Sequence, residues 1–233
     1  MEIIKGFLKR KVIILLAAVV LVFFVLFNSG FLGGEDERIT IACVGDSLTY
    51  GSGVLKTREM DSYPAQLQEK LGVSHNVLNF GLRKATASKE GDLPYVDSEE
   101  YKESLKSNPD IVLLMLGTND TKVTNWNAAN YEEGLKALVQ SYQDLPSHPT
   151  VYLLRSPYCY STDGGEVAVY GVQYKITNGE LGEIVKRVAS ETEVEVIDLY
   201  SPTQDKTELY TDGIHFNAEG YKLIADTIYD VVK

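Results

Sequence analysis

The stretch ITIACVGDSLTYG, residues 39–51, decides how the chain is read. Residues 39–44 form a short apolar run with hydrophobic side chains on both parities, the pattern of a strand covered on both faces. Gly45-Asp46-Ser47 ends the run, so Ser47 falls at a strand-to-helix turn, where its hydroxyl and its backbone N–H can face a ligand. Working outward, residues 76–80, 111–116, 151–154 and 194–199 repeat the apolar pattern, while 63–71, 129–142, 178–190 and 218–232 carry helical spacing. In the last of these Tyr221, Ile224, Ala225 and Ile228 recur at intervals that make one apolar stripe for covering a sheet. Strand and helix in alternation predict an α/β fold: a three-layer αβα sandwich around a five-stranded, parallel, doubly wound (flavodoxin-like) sheet with right-handed crossovers. In such sheets ligands bind beyond the carboxyl ends of the strands, so functional residues are expected just after strands.

Composition sets the outer bounds. The 233 residues hold one domain, 35–233, and an appendage, 1–34, of different character. The net charge of −11 becomes −14 for residues 35–233 once the +3 of the first 34 residues (Lys5, Lys9, Arg10 and Lys11 against Glu2) is taken out. So acidic a domain, with no Lys/Arg cluster to offset it, argues against a nucleic-acid partner. Residues 12–27 are an unbroken apolar run directly after Lys9-Arg10-Lys11. Its length lies between a cleaved signal core and a spanning helix, and it extends to Phe31-Leu32 with the lysines snorkelling. We expect an N-terminal transmembrane helix, or a signal peptide that is removed, with the basic flank cytoplasmic and the domain outside. That makes the chain a single-pass membrane protein with an extracytoplasmic domain, or a secreted one. Ile41-Ala42-Cys43 resembles a lipoprotein cleavage box but lies inside the expected first strand. Cys43 and Cys159 are the two cysteines, too few and too far apart in sequence to make a disulfide framework, and no cysteine/histidine spacing predicts a zinc site.

A serine hydroxyl needs a base to become a nucleophile. His75 and His148 precede strands and fall at the wrong end of the sheet; His215 alone follows one. Asp212 stands three residues earlier, close enough to hold the His215 ring in the tautomer that leaves Nε2 facing Ser47. Acyl transfer also needs donors for the oxyanion. Strand two runs into Gly81, and strand three into Gly117-Thr118-Asn119-Asp120, so Gly81 N–H, the Asn119 amide and Ser47 N–H are expected to form a three-donor hole.

In order, GDSLTYG, the glycine of NFGLRKAT, GTND and DGIH resemble the four signature blocks of the SGNH (GDSL) hydrolases, and the resemblance spans residues 39–233. By it Ser47, Gly81, Asn119 and His215 match the four naming residues and Asp212 the triad acid. One departure concerns the second block, where Leu82-Arg83-Lys84-Ala85 replaces a glycine often found a few residues on. No metal or organic cofactor is implied.

Flat aromatic faces beside a polar site suit sugar rings. Trp126 follows Asn119 by seven residues, and the loop after strand four carries Tyr158, Tyr160, Tyr170 and Tyr174. We expect Asp46, Trp126, Tyr158 and Tyr160 as substrate contacts, and the polar segment 82–108 as one wall of the crevice. No apolar trough for a long acyl chain shows in these loops. The expected activity is therefore O-deacetylation of a carbohydrate, small or polymeric. Rival readings are a lysophospholipase or thioesterase, a glycan O-acetyltransferase, and, outside catalysis, an inactive glycan-binding surface domain or a nucleotide-binding module. The last is disfavoured because GDSLTYG is not a glycine-rich phosphate loop.

Overall fold

The computed structural model describes residues 38–233 and, before them, Val20 alone. The membrane helix expected over 12–27 lies outside the described residues, and no helix among those described is long and apolar enough to cross a membrane. Five strands, β1 (Ile39–Gly45), β2 (His75–Gly81), β3 (Ile111–Met115), β4 (Thr150–Arg155) and β5 (Glu195–Asp198), form one sheet. Its order is β2-β1-β3-β4-β5 with every neighbouring pair parallel, the doubly wound flavodoxin-like order.

Period-two alternation distributes each inner strand between two cores. Ile41 and Cys43 of β1, with Leu113 and Met115 of β3, face one side. Ala42 and Val44, with Val112 and Leu114, face the other. The helices that cover these faces, after the single-turn α1 (Ser47–Tyr50), are α2 (Tyr63–Leu71), α3 (Glu99–Lys106), α4 (Ala128–Gln143), α5 (Glu180–Thr192) and α6 (Ala218–Val232). On the first face α2 supplies Tyr63 and Leu67, and α6 the stripe Tyr221, Ile224, Ala225 and Ile228. On the second face α4 brings Tyr131, Leu135, Leu138 and Tyr142, and α5 brings Leu181, Ile184, Val185 and Val188. Each layer removes its apolar side from water, and that burial is the dominant favourable term in folding.

Within the polar segment 82–108, α3 is an element the sequence reading passed over. Its apolar contacts with the core are Tyr101 and Leu105, and buried Ser104 shares a 2.6 Å hydrogen bond with the Tyr142 hydroxyl. Its start is fixed by Ser98, whose hydroxyl oxygen accepts the Tyr101 N–H at 3.1 Å. Cys43 and Cys159 are both buried free thiols, so no bridge joins them; burial pushes each thiol up to about 12.

Candidate active site

Ser47 opens α1 immediately after β1, and Asp46 caps that turn by accepting the Leu48 N–H at 2.9 Å. The hydroxyl of Ser47 lies 2.8 Å from His215 Nε2, 168 residues away in sequence. On the other side of the ring, Nδ1 lies 2.7 Å from Asp212 Oδ2. An ionised carboxylate only accepts, so Nδ1 carries the proton and Nε2 is left to accept from Ser47. Burial raises the Asp212 carboxyl, but the His215 ring and the His215 and Ile214 N–H groups outweigh it and hold it below the usual range. Those two backbone donors reach Asp212 Oδ1 at 2.8 and 3.0 Å, so one carboxylate both shapes the turn and orients the ring. Gly213 makes the turn possible. Its φ is +85°, and a Cβ there would stand 2.4 Å from the Tyr160 carbonyl oxygen.

Asn119 follows β3 and is buried. Its Nδ2 donates one hydrogen to Asp46 Oδ2 at 3.2 Å, which leaves the second amide hydrogen for the cavity that Asn119 lines. Asp46 is thus placed under the site, 1% exposed, as a cap and an anchor for Asn119; the expectation that it contacts substrate is corrected. Its neighbour across the loop, Asp120, accepts the Ala87 and Ser88 N–H groups at 3.0 and 2.8 Å and ties the end of β3 to the segment after β2.

Burial pushes both Asp46 and Asp120 up to about 6, against the N–H groups that each accepts. A raised carboxyl destabilises the fold while ionised, so stability is gained as pH falls from about 6 toward the unfolded value near 4. The stability of the wild type relative to Asp120→Asn is therefore expected to rise by roughly 1–3 kcal/mol between pH 7.5 and 4.5. Thermal melts of the pair across that range check it, and parallel curves would reject the protonation.

A cavity of about 320 Å³ opens over Ser47 and His215, lined also by Asn119, Thr118, Arg83, Lys84, Lys122, Asp92 and Tyr170. Gly81 does not line it. The Gly81 N–H donates to Asn79 Oδ1 at 3.0 Å, and a Cβ at this position would meet Tyr50 N at 2.2 Å, so this glycine permits close packing and is not placed as an oxyanion donor. Three residues on, Lys84 lines the cavity with φ +73°, a left-handed conformation that glycine favours and other residues adopt at a cost of about 1–2 kcal/mol. The glycine missing from the second block has left its backbone shape behind.

The aromatic contacts are also redistributed. Trp126 packs against Tyr131 with ring centroids 6.1 Å apart, part of the second core. Tyr158 and Tyr160 stack on each other at 6.1 Å and lean on Tyr200 and Tyr210. None of the three lines the cavity. Tyr160 serves the site through its backbone, donating its N–H to the Gly213 carbonyl at 3.0 Å. The aromatic side chain at the mouth is Tyr170, 67% exposed, edge-on to the His215 ring at 5.8 Å. Among the described residues no group of His, Cys, Asp and Glu is arranged to hold a metal ion.

This serine-histidine-aspartate row over a parallel sheet is the setting of a known family. The GDSL-like Lipase/Acylhydrolase family matches residues 43–223, and the chain belongs to it. An acetylxylan esterase of Xylanibacter ruminicola is 29% identical over 212 residues, covering 85% of this chain and 44% of that protein. A multidomain esterase of Ruminococcus flavefaciens is 32% identical over 126 residues, 50% of this chain and 15% of that protein. The chain spans less than half the length of these two relatives. A carbohydrate acetylesterase from Sinorhizobium meliloti has a similar fold, with a TM-score of 0.65 at 23% identity over 84% of this chain and 98% of that one.

Proposed function

We propose that the protein hydrolyses acetyl esters of carbohydrates through an acyl-enzyme on Ser47. The observation that carries this is the unbroken row Ser47 Oγ, His215 Nε2, His215 Nδ1, Asp212 Oδ2, with contacts of 2.8 and 2.7 Å at the floor of an open cavity. Ser47 attacks the acetyl carbonyl as His215 takes its proton. The oxyanion is held by the Ser47 N–H, the free amide hydrogen of Asn119 and the Lys84 N–H, which takes the part expected of Gly81 and has no partner among the described residues. His215 then protonates the departing sugar hydroxyl, and water repeats the path to free acetate. Val172 and Ile214 are the only aliphatic side chains among the lining residues, too few for the trough that a long acyl chain needs, and Tyr170 offers a sugar ring a flat face at the mouth. The acetylesterase names of the relatives point the same way. With the apolar run 12–27 as anchor or signal, we place this activity outside the cytoplasm.

The purified protein, assayed on p-nitrophenyl esters from acetate to palmitate and on acetylated xylan, is expected to be fastest on acetate and to free acetate from the glycan. Activity that rises with chain length would move the substrate to lipid. Acyl transfer to a glycan without free acetate would make the protein a transferase. Asn119→Ala is expected to lower kcat about a hundred- to a thousandfold with KM little changed, because the amide meets charge that develops only in the transition state. A change confined to KM, in steady-state assays of both forms, would make Asn119 a ground-state contact.

A further inference from the structure

The cavity before Ser47 carries charge opposite in sign to the domain around it. Residues 35–233 hold a net −14, the whole-chain −11 less the +3 of the first 34 residues. Most lysines and arginines of the domain sit on carboxylates, as Arg187 does on Glu132 and Lys136 on Glu191. Three cations nevertheless line this one cavity, Arg83, Lys84 and Lys122, against a single carboxylate, Asp92. Lys122 is buried and donates to Asp92 Oδ2 at 3.1 Å, so these two neutralise each other. Arg83 and Lys84 are exposed, and neither side chain makes a hydrogen bond or ion pair among the described residues. A lysine stands at Lys84 in spite of its left-handed backbone, where glycine would be relaxed.

We infer that the ester substrate is anionic: its alcohol part bears a carboxylate or phosphate that Arg83 and Lys84 hold while its acetyl group meets Ser47. The inference rests on the reading of this site as an esterase. An acetyl group is neutral, so the charge that these side chains answer belongs to the group that leaves, and on a glycan that is an acidic sugar. Arginine suits the planar, two-point acceptors of a carboxylate or phosphate, and an adjacent ammonium adds charge without a fixed geometry. A cationic mouth on an acidic protein also draws such a substrate in from solution while the remaining surface repels it.

The test compares three matched acetyl esters: an O-acetylated methyl glucuronide, the same compound with its carboxylate masked as a methyl ester, and an O-acetylated methyl glucoside 6-phosphate. At low salt kcat/KM is expected to be about tenfold or more higher for the charged esters than for the masked one. That ratio should fall toward one in Arg83→Gln/Lys84→Gln and at high salt; which charged ester gains more assigns carboxylate or phosphate. A ratio near one in the wild type, or one that survives the double substitution, overturns the inference. Calorimetric titration of unacetylated glucuronide against unacetylated glucoside into Ser47→Ala reads the preference without turnover. If none of the esters is cleaved and the preference persists, the esterase reading fails and the anion site stands. If the preference is absent there too, the anion site fails whatever the chemistry.

Discussion

Ser47→Ala, and separately His215→Ala, is expected to lower kcat for acetyl-ester hydrolysis by about 10⁵–10⁶-fold, leaving a folded protein. The structure separates catalytic loss from collapse. Among the described residues the only side-chain hydrogen bond of Ser47 is the one to His215, so removing its hydroxyl breaks no other hydrogen bond there. The ring of His215 bonds Ser47 and Asp212 and rests edge-on against exposed Tyr170, outside both hydrophobic cores. In the proposed mechanism nucleophile and base act as one unit, so Ser47→Ala/His215→Ala together should cost about as much as either alone. Single-turnover release of acetate, with thermal melts beside it, makes the measurement. Near-wild-type rates in either single variant would falsify the assignment, and losses that multiply in the double variant would mean that the two side chains act independently.

The parts of this arrangement legible in the sequence are those that local chemistry fixes. Two-sided burial writes Val, Ile and Leu on both parities of β1 and β3, and α6 announces itself by Tyr221, Ile224, Ala225 and Ile228, all buried. Once the sheet is parallel, the rule that sites follow strands puts His75 and His148 at the far end and leaves His215, three residues from a carboxylate. What was not legible depends on where loops travel. Tyr158 and Tyr160 lie on a loop that passes the site, but its course is set by the Tyr160 N–H reaching Gly213, a contact over more than fifty residues that turns both rings toward Tyr200 and Tyr210. Trp126 meets Tyr131 on its own following helix and joins the core. In the second block the sequence shows a glycine at Gly81, yet the residue that faces the cavity comes after one further turn, with a lysine in the glycine's conformation. Asp46 reads as a charged neighbour of the nucleophile, and only the packed structure shows it turned inward to hold Asn119.

Asp212→Asn is the sharper test of the triad, because it changes one atom and keeps the turn. Asp212 Oδ1 accepts the N–H groups of Ile214 and His215, and an asparagine oxygen can go on doing so. The atom facing His215 Nδ1 at 2.7 Å then becomes an amide nitrogen, a donor where an acceptor stood. His215 can satisfy that donor only with Nδ1 unprotonated, and the neutral ring then carries its hydrogen on Nε2, where it cannot take the proton of Ser47. We therefore expect kcat to fall by about 10⁴-fold with Tm within a few degrees of wild type. Asp212→Ala should also leave the Ile214 and His215 N–H groups without their acceptor, so it should match the asparagine variant in rate but melt lower. A loss of tenfold or less in Asp212→Asn would show that His215 keeps its working tautomer without the carboxylate, and the catalytic unit would shrink to Ser47 and His215. A melting point that drops as far for asparagine as for alanine would show instead that the turn depends on the charge of Asp212, and the rate could then no longer be read as a tautomer effect.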